Sequence, residues 1–162
     1  MAVKKTSSLS NDGNGKARFL MRKKKLDELE QKIALCQDFT QRWAKFFNFF
    51  GDGFEGRKIT ADSEAQFFRL MTELARGEFR VSHTIGSEFT QGPDILTILS
   101  DAVSLTHIHE MGEGQFAQFQ HAWHVVFIAL NKTLGRLLQQ RPEPKEAAKP
   151  KKQEAEKPAA AA

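Results

Sequence analysis

The stretch LDELEQKIALCQDFTQRWAKFFNFF, residues 26–50, decides the fold. Leu26, Leu29, Ile33, Cys36, Thr40, Trp43, Phe47 and Phe50 fall on alternating three- and four-residue steps, the spacing of one face of an α-helix. Thr40 is the one polar member of that seam. Phe39 and Phe46 broaden the stripe, as expected of a helix packed against two neighbours rather than paired in a two-stranded coil. Carried back to Phe19, the pattern predicts a first helix over 19–50, about 48 Å long at ~1.5 Å per residue.

Downstream, Gly51-Asp52-Gly53-Phe54-Glu55-Gly56 supplies the permissive backbone that ends a helix. Thr60 then reads as the N-cap of a second helix, with Asp62 and Glu64 favouring its first turn. Phe67, Leu70, Met71 and Leu74 continue it. Past Gly77 the apolar residues alternate as in a strand, but a single strand without a partner does not persist, so the helix is extended to Ile85, giving 61–85. Pro93 opens a third helix, 93–110, whose buried face is Ile95, Ile98, Leu99, Ala102, Leu105 and Ile108. Gly112 and Gly114 bracket a turn before a fourth helix, 114–140. That helix is apolar almost all round from Val125 to Leu130 and is expected to be the most buried element. The fold class expected is all-α: an antiparallel four-helix bundle over 18–140.

The ends read differently. Residues 1–17 are Ser-, Asn- and Gly-rich, with Val3 and Leu9 their only sizeable apolar side chains, and are expected to form a disordered basic arm. Residues 141–162 form a low-complexity tail of Pro, Ala, Lys and Glu with no apolar side chain larger than alanine. Charge is segregated in the same way. Residues 1–25 hold eight Lys or Arg against one Asp, or +7, whereas residues 26–140 hold ten basic and fifteen acidic side chains, or −5. The overall +4 conceals an acidic fold between basic arms.

Nothing in the chain dictates a chemistry. The glycine spacing from Gly51 to Lys58 is that of a phosphate-binding loop, but Arg57 stands where the loop needs lysine, Lys58 stands where it needs Ser or Thr, and a helix precedes it instead of a strand. Asp52 and Glu55 lack the alternating oxygen ligands of a calcium loop. His107, His109, Glu110, His121 and His124 flank one helical hairpin, yet no Glu-x-x-His pair or further acidic ligand accompanies His121 and His124, so they read as the margin of a helix seam. Cys36, mid-helix on the apolar seam, reads as inert packing. No catalytic residue, metal or cofactor is expected, and the chain is not expected to be an enzyme. With one cysteine, no apolar run long enough to span a membrane and no secretory leader, a cytoplasmic address is expected.

Phenylalanine is the compositional excess, at fourteen, and Phe46, Phe47, Phe49, Phe50 and Phe54 cluster beside Arg42, Lys45, Arg57 and Lys58. The cluster reads first as an enlarged core at one end of the bundle, next as a protein interface, and last as an aromatic and basic patch on a membrane surface. The first helix also outruns the third, so one end is expected to overhang and to expose Leu26 and Leu29 as a docking or dimerisation seam. The function expected is therefore a helical interaction or scaffold protein. Arg42, Lys45, Phe46, Phe47, Phe50, Phe54, Arg57, Leu26 and Leu29 would contact a protein partner or a second copy. The alternative is nucleic-acid binding through the basic N-terminal arm, with Lys16, Arg18, Arg22, Lys23, Lys24 and Lys25 on phosphates. Neither a transmembrane segment nor membrane-surface contact is expected.

Overall fold

A computed structural model describes residues 12–54 and 58–142. The expected disorder of residues 1–11, the tail from residue 143 and the position of Arg57 all lie outside those residues. Within them the chain is all-α: α1 (Asp12–Phe47), α2 (Ala61–Ile85), α3 (Gly92–Asp101), α4 (Leu105–Glu110) and α5 (Glu113–Gln139), with a 3-10 turn at Gly86–Glu88. Five helices replace the four expected.

The first correction is at the start of α1. Residues 12–17 are helical and continuous with the rest of α1, not part of a disordered arm. Once the core fixes the downstream turns, each added residue costs no new nucleation and gains a backbone hydrogen bond, and the Lys, Arg, Leu and Met residues that follow are good helix formers. At its other end α1 stops at Phe47 rather than Phe50. The next residues tighten into i→i+3 bonds, with the Phe49 N–H donating to Phe46 and that of Phe50 to Phe47, before Gly53 turns the chain at a φ of +74°.

α1 packs against both α2 and α5, which accounts for its wide apolar stripe. As α1 advances from Cys36 to Trp43, its partners on α5 recede from Leu130 to Trp123, so these helices run antiparallel. At the centre, the Trp43 Nε1–H donates to the Trp123 carbonyl at 3.3 Å, and the Trp123 Nε1–H donates to the Trp43 carbonyl at 3.1 Å. The two indoles lie parallel, 1° apart in plane with centroids at 6.1 Å, and both are buried. Each ring thus buries its apolar body and satisfies its one donor on the other's backbone.

α2 begins where expected, with a capping box in which Ser63 N–H donates to the Thr60 hydroxyl and Thr60 N–H donates to Ser63 Oγ. It runs through Gly77 to Ile85, and Gly77 lets the Phe39 ring of α1 approach the backbone. Gly92, at the start of α3, lies against Glu78 and Ser82 of α2, where a Cβ would stand 2.5 Å from Glu78 Oε1.

The expected third helix is two helices. α3 ends at Asp101, and Ser104 caps α4 by accepting from the His107 N–H at 2.9 Å. α5 also departs from expectation. Its inward face is Phe119, Trp123, Val126, Leu130, Thr133 and Leu137, while Val125 is 46% and Ile128 52% exposed, so it is not buried all round.

Trp43→Phe and Trp123→Phe should each lower unfolding free energy by ~1–3 kcal/mol, through a lost buried hydrogen bond and unfilled volume. The double variant should depart from additivity by ~0.5–3 kcal/mol in denaturant titrations, since the two rings share one contact.

Candidate functional site

The aromatic cluster lies inside the protein. Phe46 and Phe50 are fully buried, the former against Phe67 of α2 and both against Phe119 of α5. Phe47 is half-buried, tilted on Trp123 at 4.3 Å and edge-on to His124. Phe54, also half-buried, meets His109 and Phe116. This is the enlarged end-core; Phe46 and Phe50 present no surface to a partner, which corrects their assignment as contact residues. Arg42 pairs with Asp38 at 3.0 Å on its own helix and reaches Glu73 of α2 at 3.8 Å, and Lys45 is exposed beside the cluster.

The other end of α1 is different. Every residue from Gly15 to Glu28 is exposed, and Leu29 is the first to be partly covered. The reason is register. α5 ends at Gln139, and the chain just past it meets α1 at Glu30, whose carboxylate takes two bonds from Arg141 at 2.5 and 2.7 Å. Upstream of Glu30, no other helix among the described residues opposes α1. The overhang spans 14 residues, about 21 Å at ~1.5 Å per residue. It carries Phe19 at 67% and Met21 at 68% exposure, with Leu20 and Leu26 also exposed. Lys16, Arg18, Arg22, Lys23, Lys24 and Lys25 stand on the same stretch, all solvent-exposed, and Lys24 has only a loose 4.0 Å approach to Glu28. The expected overhang is thus present and longer than the sequence suggested, with Phe19 and Leu26 one heptad apart on the line that runs into buried Ile33, Cys36 and Trp43.

A second surface was not anticipated. Glu64 of α2 accepts from the Leu105 N–H at 3.1 Å, from the Thr106 N–H at 2.9 Å and from the Thr106 hydroxyl at 2.7 Å, tying the first turn of α4 to α2. Between α3–α4 and α5 lies an open groove of about 710 Å³. Its floor includes Ile98, Phe119, Ala122 and Val126, and Asp94 and Asp101 stand along it. The sequence did carry a signal for the break that shapes it, namely Ser104 before Leu105, a strong N-cap residue inside a predicted helix.

The histidines do not converge. His124 Nδ1 lies 2.8 Å from the Gln120 carbonyl, His109 packs edge-on to Phe54, and among the described residues no three His, Cys, Asp or Glu side chains gather as a metal would require. Cys36 is fully buried, its Sγ 3.8 Å from the Leu130 carbonyl, and burial pushes its thiol pKa up. No helix among the described residues is long and apolar enough to cross a membrane.

The class of protein these features define is an all-α chain with an end-core of aromatic rings, a basic helical overhang and an acidic groove. Comparison with protein-family models, with curated proteins and with solved structures finds no match.

Partial burial pushes the Glu64 carboxyl up, but the hydrogen bonds from Thr106 and Leu105 outweigh it and hold its pKa below the ordinary carboxylate value. A lowered folded pKa means stability that is complete above the ordinary carboxylate value and lost as pH falls through the lowered one. Glu64→Gln should therefore be less stable than the parent at neutral pH, and the gap should narrow as pH falls through and below the ordinary carboxylate range in thermal melts across pH. Cys36 should resist alkylation in the folded protein and react fully in denaturant, as read by intact mass.

Proposed function

We propose that this chain is a non-enzymatic interaction protein that holds a polypeptide, a partner or another copy of itself, through the overhanging first half of α1. One observation carries the reading: residues 15–28 are exposed throughout although their apolar line continues the seam that packs the core. Phe19, Leu20, Met21 and Leu26 leave large side chains in water on a helix held rigidly by its other half, an arrangement that favours covering by another surface. The aromatic surface expected from Phe46 and Phe50 is replaced by this one; Leu26 belongs to it, whereas Leu29, expected beside it, is partly buried against the core.

The same helix supports a second reading, contact with nucleic acid. Six Lys or Arg lie exposed between Lys16 and Lys25. Such binding would draw on counterion release and fall steeply with salt, with a log–log slope of ~0.9 per phosphate engaged.

The test is to capture the tagged full chain from an extract of its source cells, with and without nuclease, beside the variant Phe19→Ser, Leu26→Ser. Both positions are exposed, so the variant should keep its helical circular dichroism and its melting temperature within a few degrees. A polypeptide retained after nuclease and lost with the variant is the expected result. Retention abolished by nuclease and indifferent to the variant would overturn it in favour of the nucleic-acid reading.

A further inference from the structure

Charge in this protein is laid out by element, and the layout is sharper than the totals suggest. Between Arg80 and Lys132 the sequence holds five carboxylates, Glu88, Asp94, Asp101, Glu110 and Glu113, and no Lys or Arg. That span includes all of α3 and α4 and the first half of α5, which together line the groove. Among the described residues neither Asp94 nor Asp101 makes an ion pair. Asp101 is the last residue of α3, at the helix end where backbone carbonyls favour a cation and disfavour an acid. Between these carboxylates the groove has an apolar floor at Ile98, Phe119 and Val126, and its shoulders Val103 and Val125 are exposed. Its occupant should be apolar along one line and cationic beside it.

The overhang of α1, which no other described helix packs against, has that chemistry. The overhang, from Gly15 to Glu28, holds six Lys or Arg against Asp27 and Glu28, a net +4, around Phe19, Leu20, Met21 and Leu26. The remaining ends cannot supply the apolar part: residues 1–11 offer only Val3 and Leu9 beyond Met1 and alanine, and residues 143–162 offer only alanine and proline. Nor can the overhang fill its own groove, because α1 is one continuous helix whose second half is clamped in the core and whose first half projects past the Glu30–Arg141 pair. Pairing of two overhangs is opposed by +4 facing +4 and by Arg22 on the apolar line between Phe19 and Leu26. Docking on the acidic groove of another molecule has the favourable sign instead, with charge steering the encounter and apolar contact holding it.

We infer that the groove between α3–α4 and α5 seats the overhanging half of α1 from a second copy of this chain. The contact joins two different surfaces, so each copy offers one arm and one groove. This rests on the reading of the overhang as a docking element and names what it docks on.

The experiment follows the mass of the full chain by sedimentation velocity over ~1–300 μM in low salt and in 0.5 M salt. Two variants accompany it: an arm variant, Phe19→Asp, and a groove variant, Asp94→Lys with Asp101→Lys, all at exposed positions. The parent should associate, at least tenfold more weakly in high salt. Each variant alone should lose at least tenfold in self-association. An equimolar mixture of the two should recover a complex of one copy of each, because the arm variant keeps an intact groove and the groove variant an intact arm. Carbodiimide cross-linking of mixed light and heavy parent chains gives a readout without substitution, with the expected bonds joining Lys23 or Lys24 of one isotope to Asp94 or Asp101 of the other.

A parent that stays monomeric to 300 μM in low salt overturns the inference. So does association lost in the arm variant but untouched in the groove variant, which would place the arm elsewhere, and so does a mixture that recovers nothing. In any of these cases, arm-dependent capture of a foreign polypeptide would leave the interaction reading standing with a different occupant, whereas failure of that capture as well would remove both.

Discussion

The reciprocal bond between Trp43 and Trp123 is the constraint on which the rest of the architecture depends. Each indole N–H is satisfied by the other's main-chain carbonyl, so neither ring can shift along its helix without stranding a buried donor. A slip of α1 past α5 by one turn would move both pairs out of reach by about 5.4 Å. With register fixed there, the positions of everything else on the two helices follow by counting. Phe46, Phe47 and Phe50 come opposite Phe119 and Trp123 at one end, and Glu30 comes opposite Arg141 at the other. What is left of α1 beyond that point has no neighbour among the described residues. The core and the overhang are two outcomes of a single pairing.

Much of this was legible in the sequence, and the limits have physical causes. The seam from Leu26 to Phe50 gave the face of α1, Thr60 gave the cap of α2, and the choice to carry α2 through Gly77 holds because Gly77 lies against the Phe39 ring. Pro93 marked the start of α3 to within one residue. The division of the third helix was not legible as a whole, because half of its cause is remote: Ser104 offers a cap locally, but Glu64, some forty residues earlier, binds the freed N–H groups of Leu105 and Thr106. That separation also explains why α5 was expected to be buried all round. Its centre is apolar as the sequence implies, but α4 is held to α2, and Val125 at the groove beside it and Ile128 near Ser87–Gln91 are left exposed.

At the level of the surface, the sequence pointed to both ends of α1, and the structure encloses Phe46 and Phe50 at one end while leaving Leu26 exposed at the other. A run of phenylalanines is the most conspicuous feature of the chain, and an aromatic run beside arginine and lysine has the composition of an interface. Here the tightened turn after Phe47 lets rings on more than one side of the helix reach the interior, and α2 and α5 supply Phe67, Phe116 and Phe119 to receive them. The plainer seam, Phe19 and Leu26 among lysines, is the one left in water. Periodicity identifies which residues share a face; it does not say how far along the helix the opposing partner extends.

The Trp43–Trp123 contact joins residues 80 apart in the chain. α1 can pair with α2 as soon as the next segment has been made, but its other flank must wait for α5. At a synthesis rate of ~5–20 residues per second, that wait is on the order of 4–16 seconds. Through that interval Ile33, Cys36, Trp43 and Phe50 lack the α5 side of their packing, on a nascent chain whose earliest part already carries a greasy, cationic helix. The flank of α1 that faces α5 stays open until α5 has been made, so over that interval a growing chain of this protein offers chaperones an extended apolar target.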